Sequence, residues 1–206
     1  IIAAEKDVNI HSTSCEGTTF NYKGQKYSIK LLGEHQVANA ILALEACYVL
    51  QGKGYNISRE AIVTGLSQTV WKGRFEIIAT NPYFIIDGAH NEDAAYKLYN
   101  SVRTYFSGRR LFFIIGMFAD KEYNKVIKIM APLADTIITI TAPTARALPS
   151  SELAKAVREY FAGTIIDAQT VAAAIAYTDE HVRPDDVIVA FGSLSFLQEI
   201  TSSSER

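Results

Sequence analysis

Asp87-Gly88-Ala89-His90-Asn91 sets a carboxylate, an imidazole and an amide directly behind the apolar run Tyr83-Phe84-Ile85-Ile86. The run reads as a buried strand, and a helical pattern begins at once after Asn91. Ligands of open α/β sheets gather where strands end and helices begin. An aspartate at such a point can accept hydrogen bonds from the hydroxyls of a ribose. Gly88 lets the backbone come close to a ligand, and Asn91 can cap the next helix. His90 can orient a ligand, move a proton or bond a nearby carbonyl. Asp-Gly alone marks only a turn; the strand before it and the helix after it raise it above that.

Other residues join this group. Arg74 lies in Trp71-Lys72-Gly73-Arg74-Phe75-Glu76, where a guanidinium can fork onto phosphate or carboxylate, or pair with Glu76. Gly33-Glu34-His35-Gln36-Val37-Ala38-Asn39 opens an otherwise apolar helical segment. His35 and Asn39 share a face there, either toward a ligand or as a capped start in solvent. Gly116-Met117-Phe118-Ala119-Asp120-Lys121, Thr141-Ala142-Pro143-Thr144-Ala145-Arg146 and Gly192-Ser193 each follow an apolar run. Parallel strands all point one way, so a single sheet edge would collect Asp87, His90, Asp120, Lys121, Arg146 and Ser193. Polar residues fill the loops of any α/β domain, which is the plainer account of that rim.

The elements that must position these residues follow from pattern. Thr18–Tyr22 and Lys26–Leu31 form a hairpin about Lys23-Gly24-Gln25, while residues 1–16 are too irregular to assign. Gln36 to Leu50 is apolar almost all round, the mark of a buried helix. Ser58 caps a second helix that turns Ile62, Val63 and Leu66 inward. Beyond Arg74 the chain alternates strands (75–79, 83–86, 111–115, 136–140, 164–166, 187–191) with helices (92–106, 121–132, 150–161, 170–181, and one after Gly192). Such alternation specifies an α/β fold, a mostly parallel sheet with helices on both faces. The first two strands are joined by only Thr80-Asn81-Pro82 and must be antiparallel. A domain boundary is expected near residue 72, and the Ser-rich tail 201–206 is expected to be disordered.

The 206 residues are 49% hydrophobic and 20% charged, ordinary for a globular protein with a real core. A net charge of −2 leaves no electrostatic footprint for nucleic acid or an anionic membrane. No segment approaches the ~20 apolar residues of a membrane span. Cys15 and Cys47 show no metal spacing and fit free thiols in a reducing cytoplasm. The chain begins at Ile1 rather than Met, which suggests a start inside a longer protein. No G-x-x-x-x-G-K-[ST] phosphate loop, G-x-G-x-x-G, H-E-x-x-H or G-x-S-x-G occurs. If the chain handles ATP, it carries part of the site.

Taken in order, Gly33-x-His35-Gln36-x-x-Asn39-Ala40, Trp71-x-Gly73-Arg74-x-Glu76, Asp87-Gly88-Ala89-His90-Asn91, Gly116-x-x-x-Asp120-Lys121, Pro143-x-x-Arg146-Ala147 and Gly192-Ser193 resemble the carboxyl-terminal portion of the folylpolyglutamate synthases. These belong to the Mur ligase superfamily, and the resemblance runs from Leu32 to about Ile200. It implies that residues 1–71 are the end of a central ATP-binding domain and 72–206 a Rossmann-like glutamate-ligase domain. It implies an ATP-dependent ligase that phosphorylates a folate carboxylate and lets the amine of L-glutamate attack the acyl phosphate. Asn39 would meet the adenine, Asp87 the ribose and Arg74 the ATP phosphates. His90, Arg146 and Ser193 would lie near the glutamate or the reacting carboxylate, with His90 and Arg74 catalytic. The cofactors implied are ATP and Mg2+, the metal ligands and phosphate loop lying upstream, so residues 1–206 alone are expected to be inactive. A cytoplasmic monomer acting on reduced folate, L-glutamate and ATP, with no nucleic-acid or membrane partner, is the resulting expectation. Dihydrofolate synthase shares these motifs, and a non-catalytic nucleotide-binding or partner-docking domain is the alternative from another class.

Overall fold

The computed structural model describes residues 8–204. The described residues pack as two compact units that divide between Lys72 and Gly73.

In the first unit, β1 (Val8–Ser14), β2 (Gly17–Tyr22) and β3 (Gln25–Ile29) form an antiparallel sheet in that order. Lys23 and Gly24 both take positive φ (48° and 75°), the geometry that two-residue hairpins favour. Gln25 therefore pairs with Tyr22 as strand rather than turn. β1 is exposed almost throughout. An edge strand that buries no alternating face leaves no period in the sequence, which is why residues 8–14 did not read as strand. Phe20, Tyr22, Tyr27 and Ile29 alternate onto one face and pack with Val37, Ala40, Ile41 and Leu44 of α1 (Glu34–Gly52) and Ile62 of α2 (Arg59–Gln68). Ser58 caps α2, its Oγ accepting the Ala61 N–H at 3.1 Å. The expectation of a helix buried all round is corrected for α1. One stripe is buried, while Leu42 (73% exposed), Val49 and Leu50 lie open, because the small sheet and α2 cover a single face.

The second unit is a six-stranded sheet in the order β4-β5-β9-β6-β7-β8. Its strands are β4 (Glu76–Thr80), β5 (Tyr83–Asp87), β6 (Leu111–Gly116), β7 (Thr136–Ile140), β8 (Thr164–Gln169) and β9 (Val187–Gly192). β4 runs antiparallel to β5, and all other pairs are parallel. β6 and β9 are buried at every position, hence their unbroken apolar runs. The connections are α3 (Glu92–Phe106), α4 (Tyr123–Met130) with a 3-10 turn at Ala131–Leu133, α5 (Ser150–Arg158), α6 (Val171–His181) and α7 (Leu194–Ser204). The tail expected to be disordered from 201 is instead helical through Ser204. The Thr201 hydroxyl donates to the Gln198 carbonyl at 2.9 Å, a local bond by which a short hydroxyl side chain sits within a helix. Residues 205–206, and the first seven, lie outside the described residues.

β9 enters the sheet last, between β5 and β6, so the chain order reverses there. Crevices form at such switch points, outside the carboxyl ends of the strands.

Candidate functional site

Asp87 is the last residue of β5, and its carboxylate organises the turn. Oδ2 accepts the Phe75 N–H at 2.7 Å and Oδ1 the Ala89 N–H at 2.8 Å. Phe75 has φ 43°, a left-handed conformation that costs a residue with a Cβ roughly 1–3 kcal/mol. Its side chain is buried and stands against the rings of Tyr105 and Phe106 at 5.6 and 6.4 Å. The carboxylate and the ring cluster together hold that backbone, and Arg74 is carried between it and Gly73. Burial pushes the Asp87 carboxyl up to about 6, against the pull of the two N–H donors, Arg74 and His90. Two N–H bonds leave each oxygen a further lone pair, so the group suits an incoming hydroxyl donor.

Beyond the turn, His90 Nδ1 stands 2.8 Å from the Gly88 carbonyl oxygen. A carbonyl only accepts, so Nδ1 carries a hydrogen and donates it, which fixes the ring and leaves Nε2 as the second ring nitrogen. Asn91 caps α3, Oδ1 accepting the Ala94 N–H at 2.9 Å.

A cavity of about 270 Å³ opens at the carboxyl ends of β5, β6, β7 and β9, lined by His90, Phe118, Lys121, Arg146, Gly192, Ser193, Leu194 and Ser195. Two loops are laced together along its side: Ala119 N–H donates to the Arg146 carbonyl and Leu148 N–H to the Met117 carbonyl, each at 2.9 Å. The Arg146 guanidinium pairs with Asp120 and lies 4.9 Å from the centre of the Phe118 ring. That partner holds the Asp120 carboxyl below its ordinary range. Lys121 makes no ion pair among the described residues, so its ammonium is open to a ligand. Ser193 is buried (5% exposed), its N–H bonded to the Gly116 carbonyl at 2.9 Å and its Oγ 2.7 Å from Ser195 Oγ. Two cations, two hydroxyls and an imidazole ring form a setting for a small molecule with carboxylates and an amine.

The structure thus brings His90, Arg146 and Ser193 onto one cavity, with Asp87 and Arg74 in the adjoining turn. Asn39 belongs to the first unit, exposed on α1, with its Nδ2 donating to Gln36 Oε1 at 3.0 Å. Glu76 accepts the Gly73 N–H at 2.6 Å, so its carboxylate steadies the turn before Arg74. Residue type and position put Lys121 on the rim without ranking it above its neighbours. What singles it out is the engagement of Arg146 by Asp120, a tertiary fact. Ser195 and Leu194 gave no signal, since a serine and a leucine in a helical first turn look like a cap and a core residue. Among the described residues no three His, Cys, Asp or Glu stand together as a metal-binding set.

Residues 73–194 match the family described as Mur ligase, glutamate ligase domain. A folylpolyglutamate synthase of Lacticaseibacillus casei is 30% identical over 185 residues, 86% of this chain and 41% of the relative. A dihydrofolate synthase/folylpolyglutamate synthase of Bacillus subtilis is 27% identical over 190 residues, 89% of this chain and 44% of the relative. Among solved structures, the Mycobacterium tuberculosis folylpolyglutamate synthase complexed with ADP aligns with a TM-score of 0.81 at 25% identity. That alignment covers 98% of this chain and 48% of the other. The chain spans less than half the length of these relatives.

Proposed function

This chain belongs to the Mur ligase family through its glutamate ligase domain, and on that premise we propose that the protein joins L-glutamate to a reduced folate in an ATP-dependent reaction. ATP phosphorylates the terminal carboxylate of the folate. The glutamate amine attacks the acyl-phosphate carbonyl carbon, a C–N bond forms, and the C–O bond to phosphate breaks with its electron pair leaving on phosphate. His90, on the cavity wall, takes at Nε2 the proton that the amine sheds. Lys121 and Arg146 hold the carboxylates of the incoming amino acid, and Ser193 donates from its hydroxyl. Asp87 accepts from the ribose, Arg74 reaches the ATP phosphates, and Asn39 meets the adenine. The family's Mg2+ finds no ligand set among the described residues, and no step here runs through it. The protein acts as a monomer.

The observation that carries this reading is the cavity, with its open lysine, paired arginine, two serine hydroxyls and imidazole beside the half-buried Asp87. Its volume of about 270 Å³ is small beside ordinary drug-sized sites and matches an amino acid better than a whole folate. A second reading, dihydrofolate synthase, is favoured by the double name of the Bacillus subtilis relative and differs only in the acceptor.

The test is ADP release by the complete polypeptide. Release that requires both a reduced folate and L-glutamate supports the first reading. Release with dihydropteroate and glutamate supports the second. No release with either acceptor points to a non-catalytic nucleotide-binding or docking domain.

A further inference from the structure

Leu194 opens α7 with 49% of its surface exposed, yet it makes a contact that constrains the whole site. Its Cδ2 lies 2.9 Å from where a Cβ on Gly73 would stand and 2.8 Å from the same point on Gly88. Beneath it, the Gly88 N–H donates to the Gly73 carbonyl at 2.9 Å. One side chain therefore rests on both turns of the site: Gly73 precedes Arg74, and Gly88 follows Asp87. The Gly88 carbonyl in turn holds the His90 ring. The other side of Leu194 lines the cavity, with Lys121, Arg146 and Ser193.

The two glycines differ in what they require. Gly73 has φ 70°, which favours glycine whatever its neighbours. Gly88 has no such backbone need, and the close obstacle to a Cβ there is Leu194. Glycine at 88 thus answers to leucine at 194. The start of α7 is itself fixed. Gly192 has φ 123°, a Cβ there would land on the Gly116 carbonyl, and the Ser193 N–H bonds that same oxygen. With its backbone held, Leu194 can respond to an occupant only through its side chain.

We propose that Leu194 is a positioning residue: a ligand in the cavity presses it onto the Gly73–Gly88 pair and so steadies Arg74 and Asp87 for the nucleotide. Its exposed half also offers the aliphatic wall against which the methylenes of an acidic amino acid pack, between the charged groups at either end. The proposal rests on the reading of the cavity as the amino-acid site.

The experiment measures ATP affinity of the complete polypeptide with and without saturating L-glutamate, alongside direct glutamate binding. Wild type is expected to bind ATP about tenfold tighter with glutamate present, within the usual span of coupling between sites. Leu194→Ala should bring that ratio to about 1 while melting near the wild-type temperature, since a half-exposed side chain adds little to the core. Leu194→Met should restore most of the ratio. Gly88→Ala, which lifts Leu194 from below, should abolish it too. A purely structural role would lower stability and leave the ratio alone. A ratio retained in Leu194→Ala overturns the coupling. A wild type that binds no glutamate overturns the amino-acid assignment and the coupling with it.

Discussion

The two halves of the site are built on opposite principles. Around Asp87, everything is fixed in advance: the carboxylate is partly withdrawn from solvent, holds two backbone N–H groups and pins a left-handed Phe75. Around Arg146, the ion pair with Asp120 is exposed, with side-chain accessibilities of 60% and 55%, and Lys121 has no ion-pair partner among the described residues. The first arrangement suits a ligand whose form never varies, such as a nucleoside. The second can rearrange at small cost around an incoming carboxylate, because exposed pairs contribute little to begin with. Rigidity and adaptability thus divide along the sheet edge, with Leu194 touching both sides.

The sharpest way to break this contrast is Asp87→Ala. It removes the acceptor of two N–H groups and the proposed ribose contact together. The KM for ATP should rise about 10- to 100-fold, the range for lost hydrogen bonds to a charged group, with a smaller change in the KM for glutamate. An unchanged ATP dependence would remove Asp87 from the nucleotide site.

Next in size is the pH response. The Asp87 carboxyl stands at about 6 in the fold, above its unfolded value, so the folded state binds that proton more tightly. The resulting stability is fully present below about pH 4 and is lost as pH rises through 6, on the order of 3 kcal/mol in all. The difference in unfolding free energy between wild type and Asp87→Ala should change by that amount between pH 4 and 7. Nucleotide affinity should move the other way, falling up to about tenfold per pH unit below 6 as the acceptor takes up a proton.

Smaller effects belong to the adaptable half. Lys121→Ala should raise the KM for glutamate about tenfold, as for loss of one charge-assisted bond. Arg146→Ala should raise it only about threefold, because that guanidinium is exposed and already paired. Equal effects would show the Asp120 pairing to be irrelevant. Smallest of all, Asp120→Asn should shift the melting temperature by less than about 2 °C.

Much of the rigid half was legible in the sequence, and the reason is burial. Leu111–Gly116 and Val187–Gly192 are covered on both faces, so their strands stand out as apolar runs. Asp87 is conspicuous because it ends such a run. β1 was not legible because it buries nothing, and α1 misled because its composition is apolar on faces that its neighbours do not cover. In the adaptable half, side-chain type marked the rim, but ranking Lys121 against Arg146 required knowing where Asp120 points. The Leu194 contact, between residues 73, 88 and 194, exists only once three loops have met.

The most direct measurement is steady-state ADP release by the complete polypeptide carrying Asp87→Ala or, separately, Lys121→Ala, with each substrate varied while the others saturate. The account predicts that the two variants separate, Asp87→Ala raising the KM for ATP and Lys121→Ala the KM for L-glutamate. Equal effects of either variant on both substrates would contradict a site divided into a fixed nucleotide half and an adaptable amino-acid half.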